Sequence, residues 1–200
     1  PKEYVEKSLE KTHKWAEICL KTKRSNQALY GIVQGGRFKD LRKESAAYIG
    51  RLGFDGFGIG GEFGGDKKKM ARMIEWVVEE LPPESPRHLL GIGYLEDILP
   101  AVKSGADTFD CIVPTRFGRH GVVFTSEGKL DLVKSKFLKD KKPLDKGCDC
   151  FVCQGYSRSY ICHLFRAKEM AAQCLASFHN LYYFNSYIEK IRRKISSGQI

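Results

Sequence analysis

The run Phe109-Asp110-Cys111-Ile112-Val113-Pro114-Thr115-Arg116-Phe117-Gly118-Arg119-His120-Gly121 places one carboxylate at the end of a short apolar stretch, Thr108 to Val113. A Pro- and Gly-broken loop carrying Arg116 and Arg119 follows it. A carboxylate beside cations stays ionised at neutral pH, and ionised aspartate is a competent nucleophile in covalent catalysis. Arginines offer the planar donor fork that suits phosphate. Together these residues suggest chemistry on a polyanion. Taken alone, they also fit an aspartate that caps a loop and arginines that solvate it.

A second group is Cys148-Asp149-Cys150-Phe151-Val152-Cys153, a C-x-C-x2-C spacing flanked by Gly147 and Gly155. Three thiolates this close can fill three corners of a tetrahedron, and Zn²⁺ takes a fourth nitrogen or sulfur ligand. Cys162, His163, Cys174 and His179 are the candidates, and spacing does not choose among them. With four protein ligands such a site is closed and structural rather than catalytic. The chain has seven cysteines, an odd number. Crowding three of them together reads as metal ligation in a reducing compartment, not as a disulfide framework. The cytoplasm is the expected location.

The 200 residues are 42% hydrophobic, enough for one sizeable domain or a domain with a small appendage. No apolar run approaches the roughly 18 residues that span a membrane. The start, Pro1-Lys2-Glu3-Tyr4, reads as neither signal peptide nor transit sequence, and the absence of Met there points to processing or to a piece of a longer chain. The net charge is +10, from 34 basic and 24 acidic residues. It favours an anionic partner, nucleic acid before membrane, because the basic residues are spread over long segments.

The elements that must position these groups alternate. Residues 3–23 have a helical apolar period, and Ala28 to Val33 is a short strand ending in Gln34-Gly35-Gly36. Residues 37–51 read as helix, and Phe54 to Ile59 as a strand ending in Gly60-Gly61. A helix at 66–80 stops before Pro82-Pro83, His88 to Ile92 is a third strand, and 94–103 a helix. Thr108 to Val113 is the fourth strand. Such βα units build parallel sheets, and in (β/α) barrels active sites gather at the carboxyl ends of the strands. An open doubly wound sheet fits the same local pattern. After Gly121 the pattern changes to a β-hairpin over 122–132, a lysine-rich loop at 134–146, the cysteine cluster, and helices at about 157–172 and 174–197. Residues 1–121 and 122–200 are thus read as two parts.

Several segments resemble the tRNA-guanine transglycosylase family, in family order and over nearly the whole chain. They are Gly31-Ile32-Val33-Gln34-Gly35-Gly36, Gly58-Ile59-Gly60-Gly61, Leu90-Gly91-Ile92-Gly93, Phe109 to Arg116, the cysteine cluster, and Ser177-Phe178-His179-Asn180. The resemblance implies an α/β fold of the (β/α)8 TIM-barrel type, of which this chain is the C-terminal half, with a zinc-binding insertion and C-terminal helices. It implies exchange of the wobble guanine of tRNAs with a GUN anticodon for a 7-deazaguanine base, preQ1 or queuine, without external energy or a redox cofactor. Asp110 is then the nucleophile at C1′ of the ribose, passing through a covalent RNA–enzyme intermediate. Gln34, Gly60, Gly61, Leu90 and Gly91 form the base pocket. Arg116 and Arg119 grip the nucleotides flanking the wobble position. Cys148, Cys150, Cys153 and His179 bind Zn²⁺, and the protein works as a homodimer or heterodimer. Lys134, Lys136, Lys139, Lys141 and Lys142 would track the tRNA backbone or form an ordinary solvated face.

This sequence departs from the family in two places. After Gly61 it continues Glu62-Phe63-Gly64 instead of a small apolar pair; Gly64 would make room for queuine, whereas Glu62 would pair with an amine on the incoming base. The family's N-terminal barrel half, with an aspartate for guanine recognition and proton transfer, is missing from these residues. On that ground the 200 residues alone are expected to be inactive. The competing reading is a tRNA-binding subunit without catalysis, against which the presence of both Asp110 and Gln34 argues.

Overall fold

The computed structural model describes residues 1–61 and 67–200. The expectations attached to Glu62 and Gly64 lie outside the described residues. The chain divides into two compact units, Pro1–Cys111 and Ile112–Ile200. No helix among the described residues is long and apolar enough to cross a membrane.

The first unit runs α1 (Lys2–Thr22), β1 (Tyr30–Val33), α2 (Lys39–Gly50), β2 (Gly56–Ile59), α3 (Lys67–Val78), β3 (Arg87–Leu89), α4 (Leu95–Lys103) and β4 (Thr108–Phe109). All strand pairs are parallel and their order in the sheet follows the chain, β1-β2-β3-β4. Parallel neighbours need a crossover, and here a helix supplies each one. A doubly wound sheet reverses its strand order at a switch point. The described strands show no reversal, so the winding is the consecutive kind.

Side chains alternate across this sheet with the two-residue period of a pleated strand. Val33, Phe57, Ile59 and Leu89 are buried on one face with Ile49, Ile74 and Val77 from the helices, forming the unit's core. The other face shows rows set by register. Ile32 pairs with Gly58, Gly58 with His88, and His88 with Thr108. Two residues further along each strand, the same face carries Gln34, Gly60, Leu90 and Asp110. Backbone bonds continue the ladder into that row, from Gly60 N to the Val33 carbonyl at 3.0 Å and from Leu90 N to the Ile59 carbonyl at 3.1 Å. Glycine recurs on β2 because its neighbours lie over it: a Cβ on Gly56 would come within 2.6 Å of the Tyr30 ring, and one on Gly58 within 2.8 Å of Ile32 Cδ1.

The second unit holds α5 (Val113–Arg119), an antiparallel hairpin of β5 (Val122–Thr125) and β6 (Gly128–Asp131), a 3-10 turn at Ser135–Phe137, α6 (Phe151–Gly155), α7 (Arg158–Arg166) and α8 (Met170–Ser196). Val123, Leu132, Phe137, Leu144, Ile161 and Ala176 pack its core. Three expectations change. The fourth strand is only Thr108–Phe109, and the expected Pro- and Gly-broken loop is the helix α5. Proline is compatible with the first turn of a helix, whose N–H groups lack intrahelical partners. Gly118 is there for proximity, since a Cβ would meet the Ser177 backbone of α8 at 2.7 Å. The α7–α8 break also falls earlier than expected, at Ala167–Glu169, where Lys168 turns left-handed with φ 61°. Its amide donates to the Phe165 carbonyl at 3.1 Å and that of Glu169 to the Leu164 carbonyl at 2.9 Å, closing the helix end.

Candidate active site and metal centre

At the carboxyl edge of the parallel sheet, Asp110 Oδ1 accepts from the Gly91 amide at 2.9 Å and lies 3.1 Å from His88 Nε2. His88 Nδ1 in turn pairs with the Thr108 hydroxyl at 2.8 Å. Register explains the cluster, because His88 and Thr108 are direct partners on β3 and β4 and Asp110 is the next residue on that face. The Asp110 side chain is 60% exposed and that of His88 25%. The Gly91 amide, opposed by partial burial and helped by the His88 ring, holds the Asp110 carboxyl below its usual range. It is therefore an ionised, accessible carboxylate with one oxygen held and the other, Oδ2, unengaged among the described residues.

Gln34 lies across the sheet in the same row. Its amide carbon chemistry faces glycine: a Cβ on Gly60 would meet Gln34 Nε2 at 2.9 Å, and one on Gly61 would meet Gln34 Oε1 at 3.3 Å. Gly61 has φ 103° and Gly91 φ 72°, left-handed conformations that glycine adopts at least cost. The Gln34 backbone N–H donates to Ser45 Oγ at 3.2 Å, anchoring the residue to α2. Leu90 and Gly91 are exposed beside this edge. The structure thus brings Gln34, Gly60, Gly61, Leu90, Gly91 and Asp110 to one sheet edge. A side-chain amide flanked by glycine backbone can pair with a planar heterocycle as donor and acceptor.

Arg116 and Arg119 occupy exposed positions three residues apart on α5, so they share a face of that helix. The lysines at 134, 136, 139, 141 and 142 are exposed as well.

In the second unit, the ligand atoms of Cys148, Cys150, Cys153 and His179 all lie within 4.8 Å of one another. His179 Nδ1 is 3.8 Å from Cys148 Sγ, 3.5 Å from Cys150 Sγ and 3.4 Å from Cys153 Sγ. A tetrahedron with Zn–S of about 2.3 Å and Zn–N of about 2.0 Å has N···S edges of about 3.5 Å, so the donor set fits zinc. His179 Nε2 donates to the Phe124 carbonyl at 2.8 Å, which leaves the Nδ1 lone pair aimed at the three sulfurs. Burial keeps the His179 ring below its usual pKa, hence neutral and able to ligate. Burial also pushes the Cys148 and Cys153 thiols up, a shift that a bound cation reverses by stabilising thiolate. The candidates Cys162, His163 and Cys174 do not join this cluster.

Three residues outside the expected site shape it. His88 holds Asp110, as described. Arg42, fully buried, donates through Nε to the Gly36 carbonyl at 2.6 Å and through Nη1 to the Gly60 carbonyl at 3.2 Å. Burial lowers its pKa to about 10, which leaves it charged at neutral pH. Its signal in the sequence is position: Arg42 falls on the α2 face that carries Ser45, Ala46 and Ile49. Asn180 donates from Nδ2 to the Pro114 and Val122 carbonyls, both at 2.9 Å, and accepts from Phe124 N at 3.0 Å.

A parallel βα unit with an ionised carboxylate and a glycine-lined amide at its edge, joined in sequence to a unit whose Cys3His set can hold a metal ion, defines a class of α/β proteins with a candidate metal centre. Within that class, the sequence profile described as queuine tRNA-ribosyltransferase matches residues 1–200, and the chain belongs to that family. Two relatives bearing that name come from Halothermothrix orenii, 46% identical over 200 residues, and Clostridium perfringens, 46% identical over 208 residues. The matches cover 99% and 98% of this chain, and 54% and 55% of those proteins. An Archaeoglobus fulgidus protein is 43% identical over 206 residues, covering 98% of this chain and 51% of its own. The chain spans about half the length of the curated relatives it matches.

Proposed function

We propose that this chain is the catalytic C-terminal half of a tRNA-guanine transglycosylase, a pentosyltransferase that exchanges the wobble guanine of GUN-anticodon tRNAs for preQ1 or queuine. The observation that carries the reading is the single row Gln34–Gly60–Leu90–Asp110 at the sheet's carboxyl edge. It puts a base-pairing amide and an ionised nucleophile on one face. The consecutive parallel order supports the half-barrel reading, since (β/α)8 barrels wind this way.

The geometry supports the following chemistry. Asp110 Oδ2 attacks C1′ of the guanosine ribose as the C1′–N9 bond breaks, and the electron pair leaves with guanine, whose N9 takes a proton from water. The carboxylate becomes a ribosyl ester. N9 of the incoming 7-deazaguanine base then attacks C1′ and gives its proton to water as the C1′–Oδ2 bond breaks, which returns the Asp110 carboxylate. Holding Oδ1 through Gly91 and His88 orients Oδ2 without neutralising it. Gln34 and the Gly61 backbone pair with the edge of the base, and Leu90 and Gly91 wall the slot. Arg116 and Arg119 hold the nucleotides flanking the wobble position, the exposed lysines follow the phosphate backbone, and zinc bound by the Cys3His set organises the second unit. The working assembly is a homodimer or heterodimer in the cytoplasm.

Trapping tests this reading. The full-length protein containing this chain, incubated with tRNA, is expected to give a denaturation-resistant protein–RNA adduct that D110N abolishes. An absent adduct together with retained tRNA binding would instead identify a binding subunit.

A further inference from the structure

Two glycine-rich turns lie at the sheet's carboxyl edge, Gln34-Gly35-Gly36 after β1 and Gly60-Gly61 after β2, and their glycines have no side chains with which to hold the turns in place. Their relative position decides where the Gln34 amide and the Gly61 backbone present their pairing groups to the edge of a flat base. The Arg42 guanidinium lies behind both turns, fully buried, with Nε on the Gly36 carbonyl and Nη1 on the Gly60 carbonyl. It also closes the space beneath the slot: a Cβ on Gly61 would lie 3.1 Å from Arg42 Nη2 and 3.3 Å from Gln34 Oε1. The Arg42 backbone itself sits under the first turn, 2.6 Å from where a Cβ on Gly35 would project.

We propose that Arg42 is a positioning residue for base recognition, a rigid strut that sets the distance between the β1 and β2 turns and so the relative placement of the pairing groups of Gln34 and Gly61. The inference rests on the base-pocket reading above. A guanidinium suits the task because its planar donors diverge at fixed angles and can address two carbonyls at once, whereas an ammonium on a flexible stem is a point donor. Its hydrogen bonds to Gly36 and Gly60 both go to backbone carbonyls of the two turns. It acts through the backbone of the turns that carry Gln34 and Gly61.

The test uses the full-length protein and radiolabelled guanine as probe, following guanine incorporation into tRNA. Arg42→Lys keeps the charge but not the fork. The expected result is a KM for guanine raised about tenfold, equivalent to about 1.4 kcal/mol of lost base binding, with kcat within about threefold of the parent and an unchanged metal content. Gln34→Ala combined with Arg42→Lys should be no worse than the more damaged single variant, because both disturb one slot. A parental KM in folded Arg42→Lys, or effects that multiply in the double variant, overturns the proposal. If Arg42→Lys does not fold, Arg42→Gln, which removes the buried charge, takes its place with the same expected KM rise. Failure of both to fold makes Arg42 a stability residue and equally ends the proposal. Loss of guanine exchange in the parent protein would instead sink the transglycosylase reading, so the two failures are distinguishable.

Discussion

His88 Nε2 and Gly91 N converge on the same oxygen of Asp110, with His88 at 3.1 Å. An ionised carboxylate can only accept, so His88 Nε2 carries the proton in this pair. Replacing His88 by Phe leaves the Gly91 bond and removes the ring donor. Because the pair is partly solvated, the loss should be modest, about tenfold in the single-turnover rate of adduct formation and about 1.4 kcal/mol in barrier. Rapid-quench measurement of adduct formation checks it, and an unchanged rate would show that Gly91 alone orients the nucleophile.

The Asp110 carboxyl is held below its ordinary value of 3.8. A depressed carboxyl is charged above its folded pKa, and whatever stability the charged form contributes is present above the unfolded value and lost as pH falls through the folded one. Adduct yield should therefore show no loss from Asp110 protonation between about pH 8 and pH 5. A midpoint near neutrality that D110N tRNA-binding controls do not share would contradict this.

Gly60→Ala places a methyl 2.9 Å from Gln34 Nε2, the far end of a flexible side chain. The amide can swing aside, so the fold should survive while base pairing suffers. The KM for guanine is expected to rise about fivefold to tenfold, with the melting temperature shifted by no more than a few degrees. Steady-state exchange kinetics and calorimetry read the two quantities separately.

The Cys3His set should bind one zinc ion per chain, measurable by elemental analysis. Cys150→Ser is expected to abolish retention of the metal. Apparent binding energies for structural zinc are on the order of 10 kcal/mol, so the second unit should lose its cooperative transition. Retained metal in that variant would show that three ligands suffice.

Asn180 serves three backbone partners from a fully buried position. Asn180→Leu matches it roughly in size and strands those groups away from water. A destabilisation of about 3 kcal/mol is expected by chemical denaturation, with the zinc content intact at low denaturant.

What the sequence disclosed follows a physical divide. The parallel strands were readable because each is a short apolar run stopped by glycine or a polar residue, and the same stops mark the edge where Gln34, Gly60 and Asp110 meet. Three cysteines announce a metal site by proximity alone, whereas His179 is 26 residues from Cys153 and is chosen by the fold. Helix α5 was obscured by Pro114 and Gly118, whose usual preference for loops yields here to the first-turn position and to close packing on α8. Arg42 and Asn180 look like ordinary polar helix residues in the sequence. Their partners are backbone carbonyls and amides, which carry no letter in the sequence, so only the folded chain reveals them.

His179 and Asn180 are consecutive on α8, yet one faces the metal cluster and the other holds the carbonyl of Pro114 at the start of the helix bearing Arg116 and Arg119. Both also grip Phe124, one at its carbonyl and one at its amide. A single helical step therefore mechanically links metal occupancy to the arginine helix. On the proposed tRNA reading, stripping a bound ion should weaken RNA binding through this link, and RNA affinity would become a remote gauge of metal loading.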